Sequence, residues 1–378
     1  MCLSQHVRAL ALTGGLIATA VLGQQRREKD KKPAKEEITQ TLALLPEPPT
    51  TITAETARLA FHVAPLSGKG LLSRQVEDAL KVLNKQAQGG GIVKLRAFVA
   101  GTGDMRRVAT IVSETFAKKK KPLPVVNVIR VGLLPLNGAQ VVMEGISVSK
   151  KVRNPNGLLF ISGQAAREPI EPADSRIRVA GVATKSVELL RSTLTAHGLM
   201  ANDMLRVTCF TTSLDDADAV RTQVAGAFPA AALNLVQVQR IAADRMAECE
   251  GVARLRAKPA ETVKFDNPTN AAFARAAFAA SDRVLFTGTQ MAFGAEDADV
   301  RLAFTRLRTS LTAAGASLDR VFFLTAYPSN AAMLDKFRRL RFEFLNREKA
   351  PASTNLAFEG LPSLDASLGM EVIAALGN

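Results

Sequence analysis

The chain has 378 residues, 47% of them hydrophobic, which is enough for two or three domains that each bury a core and excludes disorder throughout. It has no Trp and one Tyr, Tyr327, so base-stacking platforms would have to rest on Phe, which counts against an RNA-reading surface. The net charge of +14 suggests an anionic partner, yet part of it lies in two runs, Arg26–Lys32 and Lys118–Lys121, that read as solvated tail and loop.

At the N-terminus one cation, Arg8, precedes the apolar stretch Ala9–Gly23, and Ala18, Ala20 and Gly23 offer small residues for cleavage. About 15 apolar residues fall short of the roughly 20 that a membrane span needs. The pattern predicts an export signal over 1–23 and a periplasmic or extracellular protein, with an uncleaved anchor or a plain tail as alternatives; without a signal the chain would be cytoplasmic. Residues 24–50, charged and then Pro-rich (LPEPPT), read as a disordered linker. Beyond the signal only Cys209 and Cys249 remain, which either pair in an oxidising compartment or act as small buried apolar groups. The three His (His6, His62, His197) stand singly, so no zinc spacing is present and no metal or cofactor is expected.

From residue 51 onward the elements repeat. The first set reads as strand ARLAFHVA (57–64), a helix with Val76, Leu80, Leu83 and Ala87 on one face, a stop at Gly91, and strand KLRAFVA (94–100). A second helix, DMRRVATIVSETF (104–116), and strands NVIRVGLL and AQVVMEGISV follow. The second set opens with GLLFISG (157–163), continues through a helix with Ala183, Val187, Leu190 and Leu194, a stop at Gly198 and strand RVTCFTT (206–212), and ends with helix DADAVRTQVAGAF (216–228) and strands NLVQVQRI and AECEGVARL. The third runs RVLFTG (283–288), a helix with Val300, Phe304, Leu307 and Leu311, Gly315, RVFFLTA (320–326), NAAMLDKFRRLRFEFL (330–345), NLAFEGL and GMEVIAAL. LRSTLTAHG at Leu190 returns as LRTSLTAAG at Leu307, a shift of 117, and the first helix sits 107 before the second. Each set predicts β-α-β-α-β-β, with Gly at the helix end where a left-handed backbone suits a residue lacking Cβ.

The second set carries LLFISGQ (158–164), LTAHGL, RVTCFTTSLDD, an FPA turn and ECEGVA, in an order that resembles the RidA/YjgF family, also called the L-PSP endoribonuclease family. The third resembles it through VLFTGTQ, LTAAG, KAPAST and GMEVIAA, and the first mainly through helix spacing, the Gly stop and MEGISV. Together these cover about residues 51–377. The resemblance implies an α+β chorismate-mutase-like fold that assembles as trimers, three sheets packing into a central β-barrel with ligand clefts at the boundaries, and activities that include hydrolysis of reactive imines and enamines. Three tandem copies, over 51–150 (divergent), 151–260 and 261–378, then imply a monomer that acts as its own trimer, an intramolecular pseudo-trimer in which each sheet buries its second face.

The resemblance also implies site residues. In deaminating members an Arg in P-A-R-S/T grips the substrate carboxylate. Here PAST puts Ser353 at that place, FPAAALN puts Ala231 or Leu233, and LPVVN puts Val125 or Val126. The family's N-terminal cleft Tyr has no match. Its cleft acid is matched by Glu144, Glu250 and Glu371, expected to orient a water or accept a proton. Asn127, Asn234 and Asn355 open the preceding strand and would bind a polar, neutral or cationic group. Ser162, Gly163 and Gln164 match the SGQ that borders the cleft, with Gly288 and Gln290 as counterparts in the third copy. The plainer readings stand beside these: Glu paired with a nearby Arg or Lys, Asn capping a strand entrance, His197 at the negative end of a helix, and GGG at 89–91 as a helix stop.

These features predict an exported protein that binds a small nitrogen-containing metabolite at interdomain clefts, with imine or enamine deaminase-type hydrolysis. A non-catalytic ligand-binding or scaffold pseudo-trimer is the alternative, and an RNA-binding, endoribonuclease-like translation inhibitor the second. The expected partner is a small molecule, with no nucleic acid and no membrane beyond an N-terminal anchor.

Overall fold

A computed structural model describes residues 44–172, 174–268 and 272–377; the expected export signal and the linker up to residue 43 lie outside them. Leu45–Asn378 form one compact unit. Its strands and helices follow the apolar periodicity closely. In chain order they are β1 (Thr51–Glu55), β2 (Leu59–Val63), α1 (Leu72–Gln86), β3 (Gly91–Val99), α2 (Arg106–Lys118), β4 (Val125–Arg130) and β5 (Val141–Val148). Next come β6 (Leu158–Glu168), α3 (Ala180–Ala196), β7 (Met204–Thr211), α4 (Ala217–Ala227), β8 (Ala232–Gln237), β9 (Arg245–Arg254), β10 (Val263–Asp266) and β11 (Ala276–Ala279). The last are β12 (Arg283–Thr287), β13 (Gln290–Phe293), α5 (Asp297–Ala313), β14 (Val321–Pro328), α6 (Ala331–Leu340), β15 (Ala352–Asn355) and β16 (Ala366–Ala375).

The helix faces expected from spacing are all buried: Val76, Leu80, Leu83 and Ala87 on the first, Ala183, Val187, Leu190 and Leu194 on the second, Val300, Phe304, Leu307 and Leu311 on the third. Gly198 and Gly315 end α3 and α5 with φ of +68° and +78°. The first helix ends differently. Gln88 (φ +50°) and Gly89 (φ +81°) make the left-handed turn, and Gly91 opens β3. Gly90 is needed for another reason, since a Cβ there would stand 2.4 Å from the Val148 carbonyl oxygen.

Hydrogen bonding builds a mixed α+β molecule with three sheets. The first is β2-β5-β3-β4, the second β10-β11-β6-β9-β7-β8, and the third β1-β12-β16-β14-β15, with β13 also on β16. Each contains one parallel pair, β3 with β4, β7 with β8 and β14 with β15, bridged by α2, α4 and α6 as a parallel connection requires. The other pairings are antiparallel.

The expected central barrel is not closed by hydrogen bonds: among the described residues the ladders stay three separate sheets. They meet instead through single bridges, Arg130 with Gly360, Leu133 with Gln237 and Ala274 with Ala352, and through side chains. Three apolar clusters each fill the space between one sheet and its own two helices. Two more draw on all three sheets, one around Phe61, Phe160, Phe286 and Phe322, the other around Phe98, Phe210, Tyr327 and Phe358.

Besides β13, three strands that the sequence pattern does not assign to these sheets extend their edges. β1, just after the linker, pairs with β12 of the third sheet, and β10 and β11 extend the second sheet beyond β6. The segment before β6 reaches the first sheet, where the Arg153 N–H donates to Ala57 O and the Asn154 amide to Leu59 O.

Candidate functional site

Alternation along β3 turns Lys94, Arg96 and Phe98 to one face, and the three expected acids meet these cations. The Glu144 carboxylate accepts from Arg96 Nε at 2.9 Å, Thr208 Oγ1 at 2.6 Å and Asn234 Nδ2 at 2.7 Å. Glu250 Oε1 accepts from Arg96 at 2.6 Å and Arg206 at 3.2 Å. Glu371 accepts from Lys94 Nζ at 2.7 Å and from the Tyr327 hydroxyl at 2.8 Å. All six charged groups are buried.

Burial opposes ionisation of Glu144, but Arg96 and Arg206, with the Thr208 hydroxyl and the Asn234 amide, hold its pKa down at about 2. Burial lowers the pKa of Lys94 against the pull of Glu371, and it raises the Tyr327 hydroxyl well above the usual tyrosine value, with Glu371 adding to the effect. Three cations thus balance three carboxylates. The layer touches both shared clusters, Lys94 lying 5.9 Å from the Phe286 ring centroid and the Arg96 guanidinium 5.1 Å from that of Phe98.

The other expected residues divide among the three sheet boundaries. Asn234, of the second sheet, donates to Glu144 of the first. Asn127, of the first, donates to Thr289 Oγ1 of the third at 2.8 Å, beside Gly288, while Gln290 pairs with Met370 in the ladder. Ser353 and Thr354, of the third, meet the second. The Ser353 N–H donates to Ser162 Oγ at 2.8 Å, and the Gly163 N–H to Thr354 Oγ1 at 3.2 Å. Register moves one position. Asn127 lies opposite Arg96 and Asn234 opposite Thr208, but Thr354 lies opposite Thr325, so Asn355 falls one residue further on, against Ala326. A step of one residue in a strand changes the face, and Asn355 donates to Ser353 Oγ.

Ser162 and Gly163 sit where the β6–β9 register breaks, between Ile161 and Gln164, so SGQ is a β-bulge that frees backbone groups toward the third sheet. Gln164 donates back to the Ser162 carbonyl. Over Gly163 lies a residue the sequence reading passed by, Glu248. A Cβ at 163 would stand 2.0 Å from Glu248 Oε1. Burial pushes Glu248 up to about 7, with Glu250 adding to the shift and Arg167 and Arg338 opposing it. The signal for it was present in AECEG, where Glu248 and Glu250 share one strand face. Glu248 faces Phe210 in the ladder, and the same position holds Val142 opposite Phe98 and Gly369 opposite Tyr327. One boundary of three therefore carries an acid there.

At the boundary of the first and second sheets the corresponding cleft is apolar, a cavity of about 450 Å³ lined by Val63, Ala64, Val142, Val224 and Leu233, with Asn234 and Arg221 as its polar groups. Where a carboxylate-gripping Arg was sought, register places Val126, Leu233 and Ser353. Cys209, which also lines this cavity, is disulfide-bonded to Cys249 directly across the β7–β9 ladder. His197 caps α3 and pairs with Asp266 at 3.0 Å. Among the described residues no three His, Cys, Asp or Glu side chains gather as a metal site, and no helix is long and apolar enough to cross a membrane.

Residues 147–255 match the family model described as Endoribonuclease L-PSP. Solved structures similar to this chain include a member of the YjgF protein family from Neisseria meningitidis, at 12% identity over 31% of this chain and 96% of the other, with a TM-score of 0.24. A protein of unknown function of the conserved Rid protein family from Yersinia pestis is 22% identical over 31% of this chain and 100% of its own, with a TM-score of 0.27. A member of the YjgF/YER057c/UK114 family from Mycobacterium tuberculosis is 15% identical over 30% and 99%, with a TM-score of 0.24. No curated protein matches the chain.

Proposed function

We propose, from the match of residues 147–255 to the endoribonuclease L-PSP family, that the chain is a ring of three such units, about 51–150, 151–260 and 261–378, that hydrolyses a small imine or enamine at the boundary of the second and third. Support for the ring comes from the cyclic sense of its contacts. The second unit reaches the first through Asn234, the first reaches the third through Asn127, and the third reaches the second through Ser353 and Thr354. The leading segments follow the same sense: β1 lies on the third sheet, β11 on the second, and residues 153–154 against the first. Heterologous contacts of this kind close when the rotation is threefold.

The observation that carries the chemistry is Glu248, a buried carboxyl poised at about 7 beside the β-bulge at Ser162 and Gly163. A base near neutrality suits the step R2C=NH + H2O → R2C=O + NH3. Glu248 takes a proton from water as the oxygen bonds to the imine carbon. That proton passes to nitrogen to give the carbinolamine R2C(OH)NH2; the hydroxyl proton then moves through Glu248 to nitrogen as the C=O bond forms, the C–N bond breaks, and ammonia leaves. Glu144, Glu250 and Glu371 are held by cations and take the part of positioning residues. With Val126, Leu233 and Ser353 in place of an Arg, the favoured substrate is uncharged or cationic.

Ammonia release from benzaldimine, made in place by oxidising benzylamine, tests this against an imino acid. The uncharged imine is expected to react faster, with a rate that rises with pH through about 7, and Glu248→Gln to lose roughly a hundredfold or more. Catalysis retained by Glu248→Gln, or a preference for the imino acid, would overturn the reading. A second reading, ligand binding without turnover, is favoured by the Val142 and Gly369 positions; it predicts saturable binding and no ammonia.

A further inference from the structure

A second cavity, of about 670 Å³, opens between β2 with the end of α1 on one side and the starts of β7 and β8 with the end of β9 on the other. Its polar lining consists of His62, Gln86, Gln88, Arg153, Asn154 and Arg254, and among the described residues no Asp or Glu lines it. Several arginines on this protein pair with carboxylates, as in Arg275 with Asp266 and Arg301 with Glu343. Among the described residues neither Arg153 nor Arg254 has such a partner. The Arg153 Nε–H donates to Ser149 Oγ at 3.1 Å, which fixes the stem and leaves the outer edge of the fork open.

His62 is held by Ser147 Oγ at 2.8 Å from its Nε2. Burial lowers its pKa and Arg153 beside it lowers it further. Gln88 takes the left-handed φ of +50°, a conformation that favours glycine, although three glycines follow it. Phe61 and Leu205 supply an apolar wall. Two unpaired guanidinium groups, side-chain amides and an apolar wall around one void form a complementary surface for an anion with an apolar body.

We propose that this cavity binds an organic oxyanion, a phosphate or carboxylate joined to an apolar group. It lies apart from Glu248 and does not depend on hydrolysis there, so Glu248→Gln leaves the binding unchanged. Calorimetry on the full chain at low ionic strength, with phenyl phosphate, benzoate, inorganic phosphate and benzyl alcohol as probes, tests it. Phenyl phosphate or benzoate is expected to bind more tightly than inorganic phosphate and than benzyl alcohol, and the tighter of the two identifies the oxyanion. Arg153→Gln and Arg254→Gln, both at exposed positions, should each weaken that binding about tenfold. Proton NMR of His62, one of three His in the chain, should show its titration moving to higher pH as the anion saturates the site. Binding that both substitutions leave unchanged, a His62 titration that does not move at saturation, or no binding of either aromatic anion at millimolar concentration would each overturn the proposal.

Discussion

Replacing Glu248 by Gln should stabilise the protein in mild alkali and leave it nearly unchanged in acid. Burial raises this carboxyl from 4.5 to about 7. A tenfold change in proton affinity is worth about 1.4 kcal/mol, so ionising Glu248 in the folded protein costs roughly 3 kcal/mol more than in the unfolded chain. The folded protein holds this proton more tightly, so stability falls as pH rises from about 4.5 to about 7. Below that window both states are protonated and the cost is absent; above it the cost is complete. Gln has the shape of the neutral acid. The difference in unfolding free energy between variant and parent should therefore be flat below pH 4.5, grow through the window, and level off roughly 3 kcal/mol in favour of the variant. Urea unfolding of both proteins at matched pH, from 4 to 8.5, isolates this group, because every other titration is common to the two. A difference that is flat throughout, or that favours the parent at pH 8, would refute the reasoning and mean that the carboxylate is compensated when ionised.

The buried ionic layer makes a second prediction. Arg96→Met leaves Glu144 and Glu250 to share Arg206 alone and should cost about 3–5 kcal/mol, while adding Glu144→Gln, which restores two cations against two carboxylates, should recover much of the loss; thermal denaturation that ranks the double variant below the single would contradict the charge-balance account. Cys209→Ala with Cys249→Ala removes a link between residues 40 positions apart and should lower stability by about 2–4 kcal/mol. An unchanged urea midpoint in the double variant would show that the link adds nothing to the packing of β7 against β9.

The helix faces and most strands were legible because periodicity is a local property, settled within a turn or two of each residue. The acids were legible as a repeated column, Glu144, Glu250 and Glu371, but their partners were not. Lys94 and Glu371 lie 277 positions apart in the chain, and Arg96 serves two acids on different sheets. Glu248 and Glu250 are two residues apart on one face, and sequence alone does not say which acid meets a cation and which is left at the boundary. Asn355 was misaligned because β15 is only four residues long, Ala352–Asn355, and a short strand offers little pattern to pin its register. β1 was missed as a member of the third sheet because that placement depends on the route of the chain, not on the composition of TITAE.

The position of β1 bears on how the molecule is made. Among the described residues its only sheet partner, β12, belongs to the last third of the chain, and β12 also holds β16. A ribosome therefore releases the first strand long before anything exists for it to pair with. The first sheet can assemble early, but the pairing of β1 waits until β12 has been made. Premature termination should leave β1 as an unpaired, aggregation-prone edge, so truncated products are expected to be insoluble rather than partly active.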